Sequence, residues 1–320
     1  MMRKTMRHAT MMLLVSAGMA SAQPAQGGGE PDGTLITDEG ERVAARSRLG
    51  VSITGRSVYA FPSGLDGGGD LSVTRLGADV AVSGAIDDRN RLIASFNNEF
   101  SFYDLSGTAL IPGDSDGLLE ETYDSGVGLA WISQIDDAWS VLVRGSVDAA
   151  GESGADFGDS LTYGGLVVVS NQITPNLRLG AGVIARTRLE DDALVVPIVA
   201  IDWIVADGWT VTTGGASGGA GIEVRYELTE EVTLTLAGGW RSDDYRLSDD
   251  NPLPDGVVRH DRVPVAAGVI YRPSRRIEIV ARGGAHVWQR LEVLDGSGDE
   301  IADANGDAAP FISLDLSFRF

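Results

Sequence analysis

The chain has 320 residues, and its 46 acidic side chains against 25 basic ones leave a net charge of -21. A balance this acidic excludes a nucleic-acid binder, because phosphate recognition needs a basic face, and the absence of cysteine excludes a disulfide framework. Hydrophobic content of 43% suits a soluble domain and a transmembrane β-barrel equally, since apolar and polar residues alternate along a barrel strand and dilute the average.

The first segment reads as a processing signal. Arg3, Lys4 and Arg7 form a basic start, Met11 to Met19 an apolar core, and Ala20-Ser21-Ala22 a small-residue site with cleavage expected after Ala22. The apolar run is too short to span a bilayer as a helix. Export follows, and residues 1–22 are set aside from the fold. Residues 23–45, rich in Gly, Pro, Asp and Glu, read as a flexible periplasmic lead-in.

From residue 46 to 320 the chain is a succession of strand-like segments with no helix-period stretch of useful length. The count is about fourteen, with twelve as the alternative because the short pair around Gly214 to Gly221 is easily miscounted. The connections alternate in length, with two exceptions, Glu190 to Asp192 and Ala216 to Ala220, which are brief where a long loop is due. Asp87 to Asn90, Asp136 to Ala138, Thr174 to Asn176, Ala206 to Gly208, Thr229 to Glu231 and Pro273 to Arg275 are short turns. Between them lie longer acidic loops, among them Ala60 to Asp70, Ser106 to Gly117, Ala150 to Ser160, Ser248 to Asp261 and Asp295 to Asp307. Short turns at one end and long loops at the other are the habit of a closed antiparallel up-and-down transmembrane β-barrel, with both termini on the short-turn, periplasmic side. The expected fold is therefore all-β, one barrel domain over 46–320.

The faces agree. In Arg276 to Arg290, Ile277, Ile279, Ala281 and Val287 alternate with Glu278, Arg282, His286 and Arg290; in Gly221 to Leu228, Ile222, Val224 and Tyr226 alternate with Glu223 and Arg225. Charge at the lipid midplane is expensive, so the charged row is expected inside. Arg144, Arg178, Arg186, Asp202, Glu223, Arg225, Glu278, Arg282, His286 and Arg290 are the expected lumen-lining set, with Arg48, Arg56, Asp79, Glu99 and Asp148 beside them. Of the 25 basic residues 24 are arginine, whose rigid fork suits a crowded ionic interior; a genome rich in arginine codons gives the same bias. Trp139, Trp209, Tyr271, Tyr59, Tyr123, Trp240 and Phe320 fall near strand ends on the apolar face, as an interfacial belt requires.

At the end of the chain Ile312, Leu314, Leu316, Phe318 and Phe320 hold every second position, and the last residue is aromatic. This stretch, with Leu316, Phe318 and Phe320 as its signature, resembles the assembly signal of Gram-negative outer-membrane β-barrels. That resemblance implies outer-membrane localisation, contact with outer-membrane lipid, and insertion by the barrel-assembly machinery. The segment from Leu194-Val-Val-Pro197 to Asp202-Trp203, with Trp209 after the next turn, is similar to a feature of an uncharacterised outer-membrane barrel domain family and implies no activity.

Four functions are open. A barrel of about fourteen strands is wide enough for an aqueous lumen, so a passive, porin-like channel for small solutes leads, ahead of a non-conducting structural or surface barrel with acidic loops. A barrel-embedded hydrolase needs a base, and beyond the signal only His260 and His286 exist. His260 is expected in an outside loop and His286 in the lumen, neither with a nucleophile motif, so no catalytic residues and no enzyme are expected. Asp295 to Asp307 carries the oxygen ligands that Ca2+ uses but not the helical-hand spacing, so calcium there ranks low and no other cofactor is expected. Solute, selectivity and oligomeric state are not legible in the sequence.

Overall fold

The computed structural model describes residues 49–107, 118–213 and 220–320. The expected signal and lead-in lie outside the described residues. Fifteen strands form one sheet: β1 (Gly50–Gly64), β2 (Asp70–Ala85), β3 (Asn90–Ser106), β4 (Glu121–Gln134), β5 (Trp139–Glu152), β6 (Leu161–Thr174), β7 (Leu177–Arg188), β8 (Asp191–Ala206), β9 (Trp209–Thr213), β10 (Ala220–Glu227), β11 (Val232–Arg246), β12 (Val257–Ser274), β13 (Ile277–Leu294), β14 (Glu300–Gly306) and β15 (Ala309–Arg319). Neighbours along the chain from β1 to β14 pair antiparallel, and β15 pairs with both β13 and β1, so the sheet closes on itself. Because β14 continues the line of β15 along β13, the wall has 14 staves. Closure leaves no ladder edge at the seam between first and last strands.

The exterior is apolar and the interior polar, the inverse of a soluble protein. On β15 the expected row Ile312, Leu314, Leu316 and Phe318 is exposed outward, while Phe311, Asp315 and Ser317 turn in. Trp139, Trp203, Trp209, Tyr271, Phe318 and Phe320 form an exposed girdle at the short-turn end, and Tyr59, Phe61, Phe100, Phe102 and Tyr163 form another toward the long-loop end. Each short turn is built by local chemistry. Asp87 accepts from the amides of Arg89 and Asn90, Asp136 from those of Ala138 and Trp139, and Gly208 takes φ +75° in the two-residue Asp207-Gly208 hairpin.

Two expectations are corrected at the long-loop end. Asp295 to Asp307 is mostly strand: Asp295 to Asp299 turn tightly, with Gly298 at φ +85°, and β14 then pairs back along β13. Small side chains at Ala302 and Ala304 hid the alternation. Likewise β12 begins at Val257, which moves His260 and Asp261 from the expected loop into a strand.

The feature that shapes the interior is a mismatch in strand length. β9 has 5 residues and β10 has 8, whereas β12 and β13 have 18 each. The β10 ladder on β11 runs from Glu227↔Thr233 only as far as Ala220↔Trp240. Above Trp240, β11 has lost that neighbour among the described residues, and its edge swings across the lumen until Arg246 meets Gly151 of β5 in a parallel bridge. The β11–β12 hairpin thus folds into the barrel. At this level β1 to β5, β11 to β13 and the β14–β15 stave enclose a side-chain core that includes Leu71, Tyr103, Leu119, Tyr245, Leu291 and Phe311. β6 to β8 stand outside it as a flap.

Candidate functional site in the barrel interior

The interior has two levels. At the short-turn end most inward positions are small or polar, among them Ser52, Thr54, Ser95, Asn97, Ser140 and Ser170, and several are partly accessible from inside. Thr54, Asp79, Ala81, Ser95 and Asn97 line a crevice there. Ion pairs run around this wall. Arg56 Nε lies 3.0 Å from Asp79 Oδ2, Arg282 Nη1 2.7 Å from Asp315 Oδ2, and Arg272 Nε 2.8 Å from Glu278 Oε2.

The upper level is closed by the folded-in hairpin, and its centre is Arg75 on β2. One guanidinium nitrogen donates to Glu99 (3.2 Å), Asp243 (3.1 Å) and the Tyr245 hydroxyl (3.1 Å); the other donates to the Tyr103 hydroxyl (2.7 Å). Arg241 bridges Glu99 at 2.6 Å and Asp243 at 2.9 Å, and Arg262 reaches Asp243 at 2.6 Å. His260 lies against Tyr103 and Gln289, and Gln289 donates to Ser63 at 2.7 Å. Strands β1, β2, β3, β11, β12 and β13 are tied together through one network. Buried charges are tolerated only when paired and hydrogen-bonded, and here both conditions hold.

The outward-parity face of the same hairpin is charged too, which would be prohibitive against lipid. It faces the flap instead. Asp244 takes Arg188 Nε at 3.2 Å and Arg259 Nε at 3.0 Å; Arg259 also reaches Asp191 at 3.0 Å, and Arg246 reaches Glu190 at 2.7 Å. The hairpin tip is anchored across the mouth, where Glu152 accepts from the Ser248 amide (2.9 Å) and from Asn251 (3.0 Å).

The expected lumen residues divide. Glu223, Arg225, Glu278 and Arg282 sit together on the inner wall, with Arg225 on Glu223, Arg282 at 3.9 Å from Glu223, and Arg319 at 3.3 Å from Glu278. Arg178 donates to Gln172 at 2.9 Å near the short-turn rim and stands in register with Asp202. Arg144 lies beside Gly128, where an added Cβ would meet its guanidinium at 3.1 Å. Arg186 approaches Asp244 at 3.9 Å. His286 stacks on Phe311 with ring centroids 4.9 Å apart. Arg290 is a correction: the register slips between Val263 and Pro264, Val287 is the extra residue, and every side chain beyond it changes face. Arg290 therefore binds Asp303 at 3.2 Å and Glu300 at 3.5 Å on β14, outside the lumen.

Sequence reasoning missed Arg75, Arg241, Asp243, Asp244, Arg259 and Arg262. A signal existed. In Arg241-Ser-Asp-Asp-Tyr-Arg246 and Val257-Val-Arg-His-Asp-Arg262 charges occupy both parities, so neither face of this hairpin suits hydrocarbon. One lumen-facing patch was also unexpected: Leu142, Leu166, Val168, Ile184, Val196 and Ile198 make the inner wall of β5 to β8 apolar. In the Asp295 loop, the Asp295 carboxylate accepts from its own turn at Ser297 and Asp299, and Arg290 takes Asp303. Among the described residues no group of three His, Asp or Glu is arranged to hold a metal.

Several solved barrels resemble this chain loosely. The Pseudomonas putida toluene transporter TodX shares 10% identity over 84% of this chain and 89% of its own, with a TM-score of 0.45. The KdgM porin shares 8% over 84% and 99%, at 0.35. The translocator domain of the autotransporter NalP from Neisseria meningitidis shares 11% over 88% and 94%, at 0.34. At these scores the likeness carries nothing about function. Among curated proteins none matches in sequence. Residues 48–319, almost the whole barrel, match the family described as "Domain of unknown function (DUF6268)", and the chain belongs to that family.

Proposed function

We propose that this protein is an outer-membrane conduit of the channel type whose outer mouth is held shut by the β11–β12 hairpin. The apolar exterior with two aromatic girdles supports a membrane address, and the exported, periplasm-facing termini expected from the sequence make that membrane the outer one. The observation that carries the gated reading is the Arg246↔Gly151 bridge across the lumen, above an inner level lined by small polar side chains. Passage of a small solute requires the hairpin to leave, so free diffusion at rest is not part of the reading.

A structural barrel without transport is the second reading, favoured by how completely the upper level is filled. A hydrolase has less support. His260 is enclosed by Arg75, Tyr103, Arg262 and Gln289, with no serine or threonine hydroxyl among these ring partners, and the Tyr103 hydroxyl beside it already accepts from Arg75.

Planar-bilayer recording separates the two leading readings. The expected result is a quiet wild type and discrete conductance steps when the tip anchors are cut by Glu152→Gln with Asn251→Ala. Silence from the released variant as well overturns the conduit and leaves the structural barrel.

A further inference from the structure

Below the hairpin two unlike walls face each other across the lumen. The inner face of β5 to β8 carries the apolar patch of Leu142, Leu166, Val168, Ile184, Val196 and Ile198, of which Leu142, Ile184 and Val196 keep part of their surface open. Val167, Val183 and Val195, which alternate with them, are exposed on the outside. The patch is therefore a second apolar surface, separate from the one that meets lipid. Apolar surface toward an aqueous lumen is unfavourable unless something apolar shares it, and such patches mark binding grooves.

The opposite wall is ionic. In a closed wall of 14 staves β6 and β7 stand seven staves from β13 and β15, whichever way round. There Arg282 joins Asp315 on β15 at 2.7 Å and approaches Glu223 on β10 at 3.9 Å, while Arg56, in register with Asp315, joins Asp79 at 3.0 Å. Gly268 lets Arg282 lie flat along the wall, since a Cβ there would meet its Cγ at 2.6 Å. The two walls share a depth. Asp315 stands three residues above Phe318 of the inner girdle and Ile198 five above Trp203; at roughly 2.5 Å of climb per tilted residue both lie about 8–13 Å up an apolar band about 25 Å tall.

The ionic wall selects the head of a solute. Its arginines are already matched to carboxylates, so a charged head would meet as much repulsion as attraction or would have to break a pair. A hydroxyl group, donor and acceptor at once, can bond to both members of a pair and break neither. Arg56, Asp315 and Arg225 keep 24%, 18% and 24% of their side-chain surface open for this. Beside Gly268, Arg282 Nε and Thr235 Oγ1 are buried without a hydrogen-bond partner, a rarity that marks polar capacity the protein itself does not use.

We propose that the lumen below the hairpin is a binding site for neutral amphiphiles, with an apolar ring or chain on β5 to β8 and a hydroxylated head on the ion pairs of β1, β13 and β15. The inference rests on the conduit reading, to which it adds the substrate class.

Phenyl β-glucoside, titrated calorimetrically into the full barrel in lipid nanodiscs with empty nanodiscs as the blank, tests it. The site opens to the short-turn end, so the closed wild type is expected to bind, and to bind glucose and phenyl phosphate at least ten-fold more weakly. Ile184→Ser is expected to weaken phenyl glucoside about ten-fold, whereas Val183→Ser on the lipid face of the same strand leaves it unchanged. Asp315→Asn, which frees Arg282, is expected to strengthen phenyl phosphate about ten-fold. Heat-modifiable migration on gels confirms that each variant is folded. Glucose or phenyl phosphate binding the wild type as tightly as phenyl glucoside, or Ile184→Ser binding unchanged, overturns the amphiphile site. Binding by a barrel that stays silent in bilayers after the hairpin is released overturns conduction and leaves the site standing; conductance without binding does the reverse.

Discussion

Arg75 shows what a single residue does in this interior. Its side chain is buried and satisfies four partners from two strands, β3 and β11, so removing it leaves the Tyr103 and Tyr245 hydroxyls without this donor and Glu99 and Asp243 with only Arg241 and Arg262 to balance their buried charge. Arg75→Met is expected to cost about 3–5 kcal/mol, whereas Tyr245→Phe, which removes one hydrogen bond, costs about 1 kcal/mol. Guanidinium unfolding of the two variants checks the ratio, and equal losses would mean that the network is not a unit. Outside the membrane, backbone hydrogen bonds from Arg89, then the Asn90 side chain, hold the Asp87 carboxyl below the ordinary aspartate range. A depressed folded-state pKa gives stabilisation that is present above the unfolded value and lost as pH falls through the folded one. NMR should therefore show Asp87 titrating at lower pH than the unfolded chain, with the Arg89 and Asn90 amides shifting in step; a midpoint at the ordinary value would remove the turn from the account. Faces at this scale were legible wherever strict alternation held, as at Glu223, Arg225 and Arg282. They were not legible past Val287, because one extra residue in a strand leaves no mark in composition.

Among the elements, β15 and the β11–β12 hairpin illustrate two solvents. Leu314 is half exposed on the outer face of β15, with Ser313 beside it turned inward. Leu314→Arg is expected to destabilise by about 2–4 kcal/mol in bilayers and Ser313→Arg by clearly less, as read by equilibrium unfolding in vesicles; the reverse order would put the lipid on the wrong side of the wall. The hairpin behaves differently, since its charged second face meets the flap. Asp244→Ala deprives Arg188 and Arg259 of a shared partner, and amide exchange from Arg241 to Arg246 is expected to accelerate while that of β1 to β3 stays slow. The turns and the fourteen staves could be read from spacing, whereas β14 could not. That the hairpin folds inward could not, because it follows from a long-range mismatch between β9–β10 and β11, which no local window contains.

At the level of the whole molecule, a closed ladder with an apolar exterior accounts for the missing disulfides and for the tolerance of so much arginine inside. The acidic excess gathers in turns and loops such as Asp249-Asp250 and Asp87-Asp88, which keeps the two rims wet. The barrel is thus shut above and accessible below. Single-channel recording in a planar bilayer tests that most directly, comparing wild type with the Glu152→Gln, Asn251→Ala pair. The account expects closed traces from the first and resolved openings from the second; a wild type that conducts continuously at rest would contradict it.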